Sequence, residues 1–297
     1  MTTDKDPGVI LVTAPTGHIG QHVVRQLAEW GQPTRVLVRD PARYEAPGRT
    51  VEVVQGDLDQ PATLEPAFRG VSKLFLLSPG PDVPAQDAAL VQAAQRARLD
   101  HVVMLSSLGA ELGGIAGGRP HMPGERLLQE SGVPWTILHP SEFMSNTLWW
   151  TGSIQAQGAI FAPTGTGRVG FIDPADIAAV AAHVLTTPNH EGRTYRLTGP
   201  EALSTADIAE RISAVSGKPS RHVDIPEVAF REGMQAAGLP PPMIEMQVEY
   251  CAAVKEGRVA ILTHDVEELL GRPPRDYATW VQDYRAAFLA EAPATTH

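Results

Sequence analysis

Val9-Ile10-Leu11-Val12-Thr13-Ala14-Pro15-Thr16-Gly17-His18-Ile19-Gly20 is the stretch that decides the fold. Its first five residues form a β-branched run with apolar residues on both faces, which is how a buried parallel strand reads. Gly17 and Gly20 then punctuate a turn. Ile19, Val23, Val24 and Leu27, with Trp30 closing the face, open a helical pattern. A strand, a glycine-bearing turn and a helix start leave the first helical amides unpaired, with the macrodipole favouring an anion. The expected ligand is a dinucleotide pyrophosphate. Thr13, Ala14, Thr16, Gly17, His18, Ile19 and Gly20 are its candidate binding residues. Ala14 stands where a Gly-x-x-Gly-x-x-Gly loop wants its first glycine. If the backbone there needs a positive φ, alanine costs on the order of 1 kcal/mol. On the loop alone, a βα turn that binds nothing is the competing reading.

Outward from that unit the pattern repeats. Residues 34–39 and 50–55 read as the second and third strands, 73–77 as a fully apolar fourth, 101–105 as the fifth and 135–138 as the sixth. Helices are predicted from Pro61 toward Leu64 and Phe68, over 82–98 and over 123–131. Strands alternating with helices at this spacing predict an α/β fold, a doubly wound parallel sheet with right-handed crossovers. After about residue 145 the rhythm changes. Trp149-Trp150 falls in a helix, 168–172 and 195–198 read as short strands, and 175–185 as an Ala-rich helix. Ser204 and Asp207 form a capping-box variant that opens a helix to Val215. Pro240-Pro241-Pro242 reads as a turn or rigid spacer, and 277–289 as a final amphipathic helix before a frayed tail over 291–297. The expected organisation is a nucleotide-binding core over 8–200, with 146–168 contributing to the cleft, and a smaller, mainly helical lobe over 201–297.

Net charge is −10, from 24 basic and 34 acidic residues, and no basic tract occurs. Nucleic acid and anionic membrane surfaces are therefore not expected partners. Cys251 is the single cysteine, which permits no internal disulfide and fits a reducing compartment. The polar opening MTTDKDPG lacks an apolar signal core, and no run is long enough to span a bilayer. A soluble cytoplasmic protein is expected. His18 and His22 have the i, i+4 spacing of a metal grip, but with no third ligand nearby no metal site is expected.

In a doubly wound sheet, ligands sit at the carboxyl ends of the strands near the topological switch. Arg39 takes the end of the second strand, Arg43 follows a turn later, and Asp40 is one place late for a ribose-binding carboxylate. Guanidinium groups suit a 2′-phosphate, which favours NADP over NAD. Asp57, in Gly56-Asp57-Leu58, is placed to accept from an adenine amine, and Ser78 and Pro79 end the fourth strand along the cofactor path. Asp173 and Asp176 flank Pro174 as helix caps. Phe143, Met144, Trp149 and Trp150 read either as an aromatic substrate wall or as core between the lobes.

The collinear segments APTGHIG, VLVRDPAR, VVQGDLDQPATL, LFLLSP, VVMLSSLGA, HMPGERLLQESGVPWTILHPSEFM, FIDPADIAAVAAHVL and YRLTGPEALS carry a family resemblance. Over residues 9–289 the chain resembles the NmrA-like branch of the atypical short-chain dehydrogenase/reductases, which includes NADP-dependent quinone reductases and redox-sensing regulators. The resemblance implies a Rossmann domain with a small C-terminal lobe forming a cleft over the nicotinamide. The usual Tyr and Lys pair of short-chain dehydrogenases is absent, because no Tyr lies between Tyr44 and Tyr195 and no Lys between Lys73 and Lys218. Instead His121-Met122-Pro123-Gly124-Glu125-Arg126 is similar to the His and Glu-Lys pattern of type-two quinone reductases, with Arg126 in the Lys place. Arginine stays cationic and is no proton donor near neutral pH. His139 replaces the Arg common before the Pro of the sixth-strand motif.

Within that frame His121 is the candidate acid, since its ordinary pKa lies near neutrality. Ser106 and Ser107 are placed to hydrogen-bond a carbonyl oxygen, and Glu125 to orient His121 from four residues away. Pro140, Ser141, Glu142 and Phe143 meet the nicotinamide. The expectation is NADP(H)-dependent reduction of a small quinone-like or conjugated carbonyl molecule. A non-catalytic NADP-sensing regulator and a non-redox cyclase, isomerase or dehydratase on the same fold stay open, as does a homodimer.

Overall fold

A computed structural model describes residues 8–289. The polar N-terminal residues before Gly8 and the tail over 291–297 lie outside the described residues. Strands β1 (Val9–Val12), β2 (Thr34–Val38), β3 (Val51–Gln55), β4 (Val71–Leu76), β5 (His101–Leu105) and β6 (Trp135–Pro140) lie where the sequence placed them, give or take two residues. β7 (Ala159–Phe161), β8 (Arg168–Val169), β9 (Arg193–Leu197), β10 (Leu203–Ser204) and β11 (Arg221–Val223) follow. The main sheet has seven strands in the order β3-β2-β1-β4-β5-β6-β9. Every pairing in it is parallel. The strand order reverses between β1 and β4, so the loops leaving those two strands part there and open a crevice at the carboxyl edge.

The helices are α1 (Gly20–Glu29), α2 (Glu65–Phe68), α3 (Val83–Ala97), α4 (Leu108–Glu111), α5 (Met122–Glu130), α6 (Thr151–Gln157) and α7 (Pro174–Thr186). Beyond them come α8 (Thr205–Ser216), α9 (Glu227–Ala236), α10 (Pro241–Lys255), α11 (Asp265–Leu270), α12 (Tyr277–Asp283) and α13 (Arg285–Leu289). Successive strand residues point to opposite faces, so an unbroken apolar strand fills two cores. Ile10, Val12, Val36 and Val103 pack with Val23 and Leu27 of α1 and Ile177 and Val184 of α7. Leu11, Leu37, Leu74 and Met104 pack with Leu90 and Ala94 of α3 and Leu128 of α5 on the other face. A third core, with Ile154, Ile160, Ile208, Val254, Tyr277 and Trp280, joins residues after β6 to the C-terminal helices. Among the described residues, no helix is long and apolar enough to cross a membrane.

Local signals decide most boundaries. Asp82 caps α3 through the Ala85 amide, and Arg98 ends it in the left-handed region at φ 54°. Ser204 and Asp207 close both halves of a capping box at α8. Four expectations need correction. Pro240-Pro241-Pro242 is no spacer but the start of α10, because a helix tolerates proline in its first turn, where the N–H has no partner to lose. The last amphipathic helix is broken at Tyr284 into α12 and α13. Trp149 and Trp150 end a 3₁₀ turn over Met144–Trp150 rather than an α-helix. The strand at 168–172 stops at Val169, with Ile172 making a single bridge to Phe143. The parallel pair β7 and β11 was too short for a periodicity to register.

The first turn confirms a conditional expectation. Ala14 sits at φ 49°, in the region that favours glycine. It is held there from below, because a Cβ on Gly20 would lie 2.1 Å from the Ala14 carbonyl oxygen. Ala14→Gly is therefore expected to raise unfolding free energy by about 1 kcal/mol. Gly20→Ala is expected to lower it by about 1–3 kcal/mol. Urea denaturation midpoints of the two variants check both signs.

Candidate active site

The loops that follow β1, β2, β4, β5 and β6 line one edge of the sheet. After β1, the Gly17 amide closes the turn onto the Ala14 oxygen at 3.1 Å. Among the described residues, the amides of Thr16, His18, Ile19 and Gly20 make no hydrogen bond. Ile19 caps α1 without a side-chain bond, and the first turn holds no acidic residue. Free amides at an uncapped helix start fit a diphosphate. Gly17 keeps the approach clear, since a Cβ there would meet only the Ala14 oxygen, at 3.5 Å.

The other nucleotide candidates divide into free and engaged. Arg39 directly follows β2 and is exposed, as is Arg43. Asp40 accepts from the Ala42 amide at 3.1 Å. The Thr13 hydroxyl is buried and donates to the Leu77 oxygen at 2.8 Å, tying β1 to the end of β4. Asp57 spends its carboxylate on the Asp59 amide and the Gln60 amide group, and Leu58 packs on the core. Ser78 points inward and donates to Asp87 at 2.6 Å, with Pro79 next to it. Asp87 is 1% exposed, and burial pushes its carboxyl up to about 6 against the opposing effect of Ser78. Gly124 leaves room for it, as a Cβ there would lie 2.3 Å from Asp87 Oδ2.

Past β5 and β6 the edge opens into a cavity of about 260 Å³ with Ser106, His121, Pro140, Glu142, Phe143 and Tyr250 in its wall. Ser107 also borders it, but its hydroxyl caps α4 by accepting from the Gly109 amide at 3.1 Å. Ser141 donates inward to the Gly170 carbonyl. Ser106 donates to Glu125 Oε1, and the same oxygen takes His139 Nε2 at 2.8 Å. His139 Nδ1 reaches Glu111 Oε2 at 3.0 Å, and Glu111 is paired with Arg196. One chain of polar groups thus runs from the cavity wall to a second, open crevice lined by Glu111, His139, Arg196 and Asp265.

This arrangement corrects the expected role of Glu125. Its carboxylate lies beneath α5 on Ser106 and His139 rather than against His121. His121 ends the 3₁₀ turn over Ala116–His121, and its Nδ1 is buried without a hydrogen-bond partner. Burial outweighs the nearby Glu125 carboxylate and pushes the His121 pKa down, so the ring is neutral at neutral pH. His139 goes the other way. Burial lowers its pKa, but hydrogen bonds and charge from Glu125 and Glu111 outweigh that and raise it above the ordinary value. The standing proton of the site therefore rests on His139. Sequence reading had flagged His139 as a departure without a role. Glu111 and Arg196, 85 residues apart, left no local signal of their pairing. Nor did Tyr250, which α10 carries into the cavity from the C-terminal lobe.

Comparison with known proteins agrees with this geometry. The family model described as the NmrA-like family matches residues 6–261. An NAD(P)H azoreductase of Xenophilus azovorans is 38% identical over 283 residues, covering 94% of this chain and 99% of the relative. A (4-alkanoyl-5-oxo-2,5-dihydrofuran-3-yl)methyl phosphate reductase of Streptomyces griseus is 38% identical over 285 residues, covering 95% and 100%. The crystal structure of an NADPH-dependent quinone oxidoreductase from Escherichia coli in complex with NADPH superposes with a TM-score of 0.85 at 26% identity, covering 93% of this chain and 99% of that one.

The raised pKa of His139 makes a signed prediction for stability. Its contribution is fully present below the unfolded value near pH 6.5 and is lost as pH rises through the folded value. His139→Gln is expected to lower unfolding free energy by about 2–3 kcal/mol at pH 6. The gap to wild type should narrow toward pH 9, as urea unfolding at both pH values would show.

Proposed function

The chain belongs to the NmrA-like family, and on that premise we propose that it is an NADP(H)-dependent oxidoreductase acting on a quinone-like or other conjugated small molecule. The observation that carries the reading is one alignment along one sheet edge. An uncapped helix start beside free arginines lies at one end, and a cavity holding Ser106 and His121 lies past β5 and β6. The reductases that this chain matches along nearly their whole length support it.

The nicotinamide, when bound, supplies the hydride. The free amides of Thr16, His18, Ile19 and Gly20 would hold the pyrophosphate, and Arg39 and Arg43 the 2′-phosphate. Pro140 and Phe143 give the rings a flat apolar wall in the cavity. Ser106 donates a hydrogen bond to the acceptor oxygen as negative charge develops there. For this the Ser106 hydroxyl turns its proton from Glu125 to the acceptor oxygen, and as it gives that proton up His139 passes one to Glu125 and Glu125 passes one to Ser106. His139 is resupplied at Nδ1 from the crevice beside Glu111. His121, kept neutral by burial, lines the cavity beside the acceptor rather than holding the standing proton.

Purified protein mixed with NADPH and a panel of quinones should consume the reduced nicotinamide, and background rates throughout would overturn the reading. Arg39→Ala should weaken NADPH binding about tenfold while leaving NADH within about twofold. Calorimetric titration of both nucleotides separates a 2′-phosphate contact from a general loss of binding.

A further inference from the structure

Glu142 is placed unlike the other carboxylates near the cleft. Glu125 shares His139, Glu111 holds Arg196, and Glu249 holds Arg119. Among the described residues, no Lys, Arg or His nitrogen lies within 4.0 Å of the Glu142 carboxylate. Asn146 Nδ2 donates to it at 2.6 Å. Glu142, Asn146, Trp149 and Tyr250 border both the 260 Å³ cavity and a smaller one of about 70 Å³ behind it. Tyr250 stands beside Glu142 with its hydroxyl buried and without a hydrogen-bond partner. Trp149, 65% exposed, stands at the cleft with its indole available to a ligand. A carboxylate among aromatic and aliphatic walls is expensive to ionise unless a cation joins it. Aromatic faces beside it also attract cations.

We infer that this cleft takes flat, apolar acceptors bearing a positive charge or a protonated amine, with Glu142 as their counter-ion. The word acceptor rests on the oxidoreductase reading; the binding of such a cation does not. Asn146 fixes one carboxylate oxygen through its amide, and the buried Tyr250 hydroxyl adjoins the carboxylate. The titratable groups facing Glu142 are Tyr250 and Cys251 on α10, and His121 across the cavity. Burial pushes the Tyr250 hydroxyl far up and the Cys251 thiol to about 12, and pushes His121 down. Burial raises Glu142 itself above the usual carboxylate range.

The test compares naphthalen-2-ylmethylamine, a cation below its own pKa, with naphthalen-2-ylmethanol, a neutral molecule of nearly the same shape. Binding is followed by calorimetry and tryptophan quenching, with no nucleotide added. Wild type should bind the amine about tenfold tighter than the alcohol at pH 8, and the advantage should shrink as pH falls and Glu142 takes up its proton. Glu142→Gln should bring the two ligands within about twofold while keeping alcohol affinity, and Glu142→Asp should retain part of the preference. Equal binding by wild type, or a preference that survives in Glu142→Gln, overturns the proposal. In a separate titration with NADP⁺, a Glu142→Gln effect found there and absent from the amine would also overturn it, by assigning Glu142 to the oxidised nicotinamide. Should Glu142→Gln fail to fold, the wild-type pH dependence decides, and a flat profile overturns. Failure of quinone turnover would sink the redox reading and leave these binding results standing.

Discussion

One oxygen, Glu125 Oε1, accepts from Ser106 and from His139 together, and the site is assembled around that sharing. Ser106 follows β5, His139 lies in β6 and Glu125 is carried by α5, so the shared carboxylate fixes a helix across the ends of two neighbouring strands. His139 extends the tie to Glu111 of α4, and Arg196 extends it to β9 at the sheet edge. A buried carboxylate is tolerable only when its partners are supplied by the fold. Here they come from the ends of two neighbouring strands. Losing one partner leaves charge stranded where water does not reach easily, which costs more than the pair contributes in net terms. The wall of the cavity is therefore rigid for electrostatic reasons as much as for packing ones.

Much of the fold was legible because its signals are local. Unbroken apolar runs announced strands covered on both faces, and the capping residues Asp82 and Ser204 marked helix starts. The errors fell where one local rule has two outcomes. Pro240-Pro241-Pro242 suits a spacer or a first helical turn, and only Ile244, Val248 and Cys251 buried along the following helix decide for the latter. The turn from Thr13 to Gly20 and the helix start after it were legible for the same reason, since they are contiguous. The acid end was not. Its members at 106, 111, 125, 139 and 196 are joined by tertiary packing, and the helical-neighbour rule that paired Glu125 with His121 lost to two stronger donors beneath the helix.

The same edge divides polar groups into those the fold satisfies and those it leaves open. Thr13, Asp57, Ser78, Ser107 and Ser141 are spent on their own chain, and their bonds hold the loops in place. The amides of Thr16, His18, Ile19 and Gly20, His121 Nδ1 and the Tyr250 hydroxyl are left unpaired. An unpaired buried polar atom costs about 1–3 kcal/mol, so a fold keeps few of them without a return. Those bordering the cavity point the return toward a ligand.

Charge follows the same division. His139 lies between two carboxylates and keeps its proton, while His121, at the cavity, is stripped of charge by burial. A cation fixed at His121 would repel a positively charged ring in the same space and would sit beside Glu142 as its partner. With the proton stored one layer behind the wall, the cavity keeps a hydrogen-bonding imidazole and an uncompensated carboxylate, and the proton supply stays connected through Ser106. On the proposed reading, separating where the proton is held from where the substrate lies would let a single small cavity both protonate an acceptor and favour a cationic one.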